Sequence, residues 1–87
     1  MNQDRELWRR LRMVVARRLG VKESRVTHTA RFMEDLGVDS MDGVELIMAL
    51  EDEFGLEISN GQAERLPTAG DALEFIMEAV GRREQLK

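Results

Sequence analysis

The sequence contains no cysteine and no tyrosine, and only one proline, one tryptophan and one histidine in 87 residues. Without cysteine, the chain has no disulfide, no thiolate metal ligand and no thiol nucleophile. With His28 as its single histidine, a transition-metal site or a Ser–His pair is not expected, and His28 is predicted to be an exposed loop residue. Charges interrupt every apolar run and no signal peptide is recognisable, so we expect a cytoplasmic protein without stable membrane insertion.

The composition is that of a soluble globular domain, with 43% hydrophobic and 34% charged residues. A chain of 87 residues can form one domain around one modest core. We therefore predict a single domain over residues 1–87, with its core in about 5–80 and a frayed tail at 81–87.

The net charge of −4 conceals a separation of charge along the chain. Residues 1–31 contain nine Arg or Lys and three Asp or Glu, whereas residues 32–80 contain thirteen Asp or Glu and one Arg. The acidic centre is a poor surface for nucleic acid and a good one for basic protein partners. A cluster of arginines near the start is predicted to balance part of it (Arg9, Arg10 and Arg12).

Apolar periodicity predicts helices over 5–19, 40–54 and 69–80, and a weak helical turn over 60–66, with no strand alternation. Gly20 and Gly55 are expected to end the first two helices. The long connection 21–38 has spaced apolar residues that should pack over the helices. The first helix is basic on one face; a solvated face is the simpler interpretation, and binding to a membrane or a phosphate backbone is the alternative.

The second helix begins at Asp39-Ser40-Met41-Asp42. Asp39 can cap the helix, and Ser40 should lie at its N-terminus with an exposed hydroxyl. Backbone donors and the helix dipole favour an anion there, including a phosphate ester. A capped helix start without chemistry is the alternative explanation of this motif.

Two faces of the second helix are distinct. The inward face is predicted to consist of Gly43, Leu46, Ile47, Leu50 and Phe54, and Gly43 is expected to permit close approach of another element. The other face is a ridge of Met41, Val44 and Met48, flanked by Glu45, Glu51 and Asp52. Methionine adapts to several partners, so this ridge is predicted to be a binding surface, unless the preceding loop covers it.

The patterns of common catalytic and metal sites are absent. The residues around Ser40 lack both glycines of a nucleophile elbow, and calcium loops opening at Asp35 or Asp39 fail at their third positions. The chain also lacks a phosphate-cradling glycine loop. We therefore predict a carrier or binding module, with no metal and no enzymatic activity.

The segment from Phe32 to Phe54, and above all Asp39-Ser40-Met41-Asp42 in its helical context, resembles the acyl carrier proteins of type II fatty-acid and polyketide synthesis. The similarity continues through 56–58 and 68–72 and covers about residues 5–80. It implies an all-α bundle of three main helices plus one short helix.

The resemblance also implies a function. Ser40 would carry 4′-phosphopantetheine through a phosphodiester, with Asp39, Met41 and Asp42 around it. Acyl groups would be carried as thioesters, because the prosthetic group supplies the thiol that this chain lacks. The expected partners are a phosphopantetheinyl transferase and acyl-transferring or synthase enzymes, whose basic patches would contact a monomeric carrier at Val44, Glu45, Met48, Glu51 and Asp52.

The sequence departs from that family in its arginine-rich first helix, in Gly43 where Thr or Ser is usual, and in few acids at 59–62. These departures favour a specialised carrier. Three alternatives stay open: an interaction subunit that lacks the prosthetic group, a carrier of aminoacyl groups, and a basic anchor formed by the first helix. Cargo, chain length and pathway are not determined by the sequence.

Overall fold

The computed structural model describes residues 2–85, and side chains for residues 4–82. Within this range the chain forms α1 (Asn2–Leu19), a short 3₁₀ helix (Glu23–Arg25), α2 (Ser40–Phe54), α3 (Asn60–Ala63) and α4 (Ala69–Gln85). No strand occurs between residues 2 and 85, where the one β-type pairing is an isolated bridge between Arg31 and Thr68. The predicted all-α fold of three main helices and one short helix is confirmed.

The predicted C-terminal ends of α1 and α2 are confirmed, whereas that of α4 is not. Gly20 and Gly55 do end α1 and α2, since both adopt the left-handed conformation, with φ of 68° and 64°. Gly81 lies inside α4, which continues to Gln85, so the predicted end of this helix at Val80 is wrong. Glycine inside a helix costs about 1 kcal/mol against alanine but ends it only when the chain turns left-handed. The rest of the predicted tail, 86–87, lies outside the described residues.

The start of α1 and the extent of α3 also differ from prediction. α1 begins at Asn2, one of the two residues, with Asp4, that the sequence offers as a start, whereas the apolar periodicity begins only at residue 5. The turn predicted over 60–66 is helical only at Asn60–Ala63. Ser59 caps α3 by accepting from the Gln62 amide (3.1 Å), and the Gln62 side chain accepts from the Ser59 amide.

The core lies where α1 packs against α2 and α4. Large side chains with almost no exposure come from all three helices: Leu11 and Val15 of α1, Leu50 of α2 and Ile76 of α4. On α2 the predicted inward residues Leu46, Leu50 and Phe54 are buried, and Gly43 and Ile47 are half-buried. No helix within the described range is long and apolar enough to cross a membrane.

The long connection 21–38 is attached to the start of α4 by backbone hydrogen bonds. The Phe32 amide donates to the Pro67 carbonyl (3.0 Å), and the Gly70 amide donates to the His28 carbonyl (2.8 Å). His28 is exposed, as predicted, but its ring also lies 4.0 Å from the ring of half-buried Trp8, centroid to centroid. This connection therefore joins α1 to α4 through His28.

Close packing against a glycine occurs at Gly70 and not at Gly43. A Cβ atom at Gly70 would lie 2.7 Å from the backbone oxygen of His28, a distance that real Cβ atoms do not tolerate. At Gly43 the nearest atom would be Val38 Cγ1 at 3.7 Å, which is an ordinary van der Waals contact. The prediction that Gly43 permits close approach of another element is therefore wrong. Tertiary contacts decide which glycine another segment crosses, and the helical pattern alone does not show them.

The arginines of α1 have different partners. Arg10 reaches α2, where Nε lies 2.8 Å from Glu53 Oε2 and the guanidinium stacks 4.7 Å from the centre of the Phe54 ring. Arg9 instead pairs with Glu6 inside α1 (2.6 Å), and Arg12 donates to the backbone carbonyl of Glu23. Of the three arginines predicted to balance the acidic helix, Arg10 alone contacts it.

Candidate functional site

The chain enters α2 through a turn fixed at both sides by buried apolar residues. Leu36 and Val38 are buried, and the Val38 amide donates to the Phe32 carbonyl (2.9 Å). Gly37 between them adopts φ of 71°, which only glycine adopts freely. This turn delivers Asp39 in an extended conformation as the residue that caps α2.

The two aspartates of the motif hold the helix start. Asp39 Oδ1 accepts from the Asp42 amide (2.8 Å), and Asp42 Oδ2 faces the Asp39 amide at 3.5 Å. Together they form a reciprocal capping box, which confirms the predicted cap. Both carboxylates are thus occupied by backbone contacts, and a direct part for them in cofactor binding stays a prediction.

Ser40 is the first residue of α2 and is exposed. Its hydroxyl forms no hydrogen bond with another residue that the structure describes. The first-turn amides of Ser40 and Met41 have no acceptor within the helix, and they lie at the positive end of its dipole. The structure thus combines an accessible hydroxyl with backbone donors that suit an attached phosphate.

The predicted apolar ridge is exposed. Met41 is 73% exposed, Val44 62% and Met48 57%, so the preceding loop does not cover them. A fourth apolar side chain, Met33, is 72% exposed and was not predicted as part of any surface. Its neighbour Phe32 packs against the core. The sequence signal that could have indicated an exposed side chain here is the presence of two large apolar residues next to each other in a loop.

The three carboxylates that flank this ridge differ in their surroundings. Glu45 and Asp52 are exposed and form no ion pair with described residues, so both are accessible to a basic partner. Glu51 is half-buried, and its Oε2 accepts from the backbone amide of Ile58 at 2.7 Å. The sequence pattern groups Glu51 with the recognition acids. In the structure its carboxylate instead binds a backbone amide of the loop after α2.

A cavity of about 660 Å³ lies beside α2, partly open to solvent and bounded by the loop before the helix and by α3. Ser40, Val44 and Met48 are among its lining residues, so it adjoins both the candidate serine and the exposed ridge. Its apolar wall includes Leu46, Ile47, Leu50, Ile58, Ala63 and Leu66. The sequence did not predict this cavity, because its walls come from three separate segments.

Charged residues stabilise the loop at one side of the cavity. The Arg31 side chain lies 3.1 Å from Asp35 Oδ2 and 2.8 Å from Glu34 Oε2, and Arg31 and Glu34 line the cavity. Hydrogen bonds from the Arg31 side chain, and then from its backbone amide, hold the pKa of Asp35 below its ordinary value. Among the described residues, no group of three or more His, Cys, Asp or Glu is arranged to hold a metal ion.

The chain matches a known protein family. A family model described as the phosphopantetheine attachment site matches residues 9–76 of the 87. The matched range includes most of α1, the whole of α2 with Ser40, the cavity walls and the first half of α4.

Proposed function

The chain belongs to the phosphopantetheine attachment-site family, and we propose that it is an acyl carrier protein modified on Ser40. Domains of this family are non-catalytic carriers of covalently attached 4′-phosphopantetheine. When attached, this group supplies the thiol that forms thioesters, which a chain without cysteine cannot supply itself. We propose one carrier domain, monomeric, with its core in about residues 5–80.

The assignment of Ser40 rests on its exposure and its position. Its hydroxyl is accessible and unpaired among the described residues, at a helix N-terminus. By contrast, the hydroxyl of Ser59 caps α3 by accepting from the Gln62 amide. The free amides at the start of α2 would hold the phosphodiester, since anions are favoured at helix N-termini. Asp39 and Asp42 would act indirectly, by keeping that helix start in place.

The cavity is the observation that favours acyl over aminoacyl cargo. Its wall is mostly apolar and includes residues from Ser40 to α3. Burial of apolar surface stabilises by about 25 cal/mol per Å² removed from water, so an acyl chain gains free energy by entering. A short aminoacyl group offers less apolar surface to this wall, so it gains less free energy by entering.

Enzymes that modify and use this carrier would approach the exposed ridge. Met41, Val44 and Met48 provide apolar contact, while Glu45 and Asp52 would attract basic patches and raise the association rate. These partners are a phosphopantetheinyl transferase and acyl-transferring or synthase enzymes. The arginine-rich α1, which departs from the usual first helix of acyl carrier proteins, supports a pathway-specific carrier.

The attachment site is tested by intact mass after co-expression with a phosphopantetheinyl transferase. The parent protein should gain the mass of one phosphopantetheinyl group, and Ser40→Ala should not. Ser24→Ala is the matched control, because Ser24 is an exposed serine in the 3₁₀ helix, and it should be modified like the parent. Modification of the Ser40→Ala variant would refute the assignment. A parent that no transferase modifies would favour an interaction subunit.

The cargo class is tested by NMR on the loaded carrier. An octanoyl thioester should shift the methyl signals of Leu46, Ile47 and Ala63, which line the cavity. A glycyl thioester should leave these signals near their positions in the unloaded form. If both cargoes give the same shifts, the cavity does not select acyl groups.

A further inference from the structure

Glu51 makes a contact that the other ridge acids do not make. Its carboxylate accepts a 2.7 Å hydrogen bond from the backbone amide of Ile58, seven residues further along the chain. Both residues line the cavity, and Ile58 is buried. The bond therefore joins α2 directly to the segment that leads into α3.

The α3 segment has few other attachments to the bundle. The backbone hydrogen bonds at positions 59–66 are internal to that segment. At one end the segment is joined to the loop before α2, since Pro67 accepts from the Phe32 amide. At the other end the Glu51–Ile58 bond joins it to α2. The location of α3 thus depends on these two tethers, on the burial of Ile58 and on the partial burial of Leu56, Ala63 and Leu66.

α3 forms one wall of the cavity through Asn60 and Ala63, together with Glu64, the residue that caps its C-terminus. We propose that Glu51 is a positioning residue that fixes this wall and so controls how firmly an acyl chain is held. This inference rests on the proposed function, because it assumes acyl cargo in the cavity. Glu51 thereby has a role in positioning α3, whereas the sequence pattern assigns it to partner recognition alone.

Removal of the carboxylate leaves the Ile58 amide without its acceptor. Because Glu51 is half-buried, loss of this hydrogen bond should make local opening about 2- to 10-fold more frequent. While α3 is displaced, an acyl chain is less well enclosed and its thioester is open to attack. A neutral side chain that keeps an oxygen acceptor should preserve the tether.

Three variants separate tethering from charge. Glu51→Ala removes the acceptor, whereas Glu51→Gln keeps an oxygen acceptor and removes only the charge. Glu74→Ala is the matched control, because it removes an exposed carboxylate of α4 that forms no hydrogen bond or ion pair with described residues. Each variant is prepared both without the prosthetic group and as the octanoyl thioester.

The first measurement is amide hydrogen exchange at Ile58 in protein without the prosthetic group. Exchange should be about 2- to 10-fold faster in Glu51→Ala and unchanged in Glu51→Gln and Glu74→Ala. Because this readout needs no attached group, it remains valid even if Ser40 is not modified. Unchanged exchange in Glu51→Ala would overturn the proposed tether.

The second measurement is the rate at which hydroxylamine cleaves the octanoyl thioester. Cleavage should accelerate in Glu51→Ala by the same factor as exchange, and stay at the parental rate in the other two variants. Faster exchange at Ile58 with unchanged cleavage would overturn the role in cargo holding, while the acyl-carrier assignment would stand. If cleavage rates are equal in all variants and exchange at Ile58 in Glu51→Ala matches the parent, Glu51 does not position α3. Its role would then be partner recognition alone.

Discussion

Alanine at Gly70 tests how the long connection crosses the start of α4. The added Cβ would lie 2.7 Å from the backbone oxygen of His28 and 3.4 Å from its carbonyl carbon. The same oxygen accepts from the Gly70 amide, so relief of the clash lengthens a backbone hydrogen bond. The obstacle is backbone and not the end of a flexible side chain, so one of the two segments must move.

The expected cost follows from two opposing effects. Overpacking of a close contact costs about 1–3 kcal/mol, and alanine regains up to about 1 kcal/mol of helix propensity. The net loss should be about 1–2 kcal/mol. At about 4–8 °C per kcal/mol for a domain of this size, Tm should fall by about 4–16 °C.

Gly43→Ala is the matched control, since Cβ there meets only Val38 Cγ1 at 3.7 Å. It should gain about 1 kcal/mol of helix propensity and raise Tm by about 4–8 °C. Thermal unfolding followed by circular dichroism measures both variants. Fluorescence of Trp8, the single tryptophan, should change in Gly70→Ala alone, because its ring contacts His28. A Gly70→Ala protein that melts at or above the parental Tm would refute the close crossing.

Three further predictions concern charge. Arg10→Gln should lower the free energy of unfolding by about 1 kcal/mol in thermal or urea unfolding, because the side chain is partly covered and also stacks on an aromatic ring. Arg9→Gln should leave stability unchanged, because Arg9 forms an exposed ion pair. Equal melting of the two variants would contradict this difference. The depressed pKa of Asp35 means that its arginine contact stabilises the fold above its ordinary pKa and is lost as pH falls through the folded value. Unfolding midpoints should therefore drop below roughly pH 4, and Asp35→Asn should reduce the drop; an unaltered pH profile would show that the pair contributes nothing. Reversal of Glu45 and Asp52 to lysine should slow modification by the transferase with little loss of stability, and the deficit should shrink at high salt. Equal rates at low salt would exclude these acids from recognition.

The helices and their caps could be predicted because their signals are local. The apolar periodicity of α2, the cap at Asp39 and the left-handed Gly55 lie within a few residues of the features that they determine. The exposed start at Ser40 follows from the same short motif. The predicted length of a helix was wrong where a residue type can either end a helix or lie inside it. Gly81 is the example, because it lies inside α4.

The sequence by itself thus determined which segments are helical, where α2 begins and which of its faces is apolar and exposed. Only the tertiary structure decided that Gly70 meets His28, that Arg10 alone of its cluster contacts α2, and that Glu51 holds Ile58. It also decided that residues from separate segments line one cavity beside Ser40. The physical reason is range: periodicity and capping act within one or two helical turns, whereas these contacts depend on the packing of segments distant in the chain.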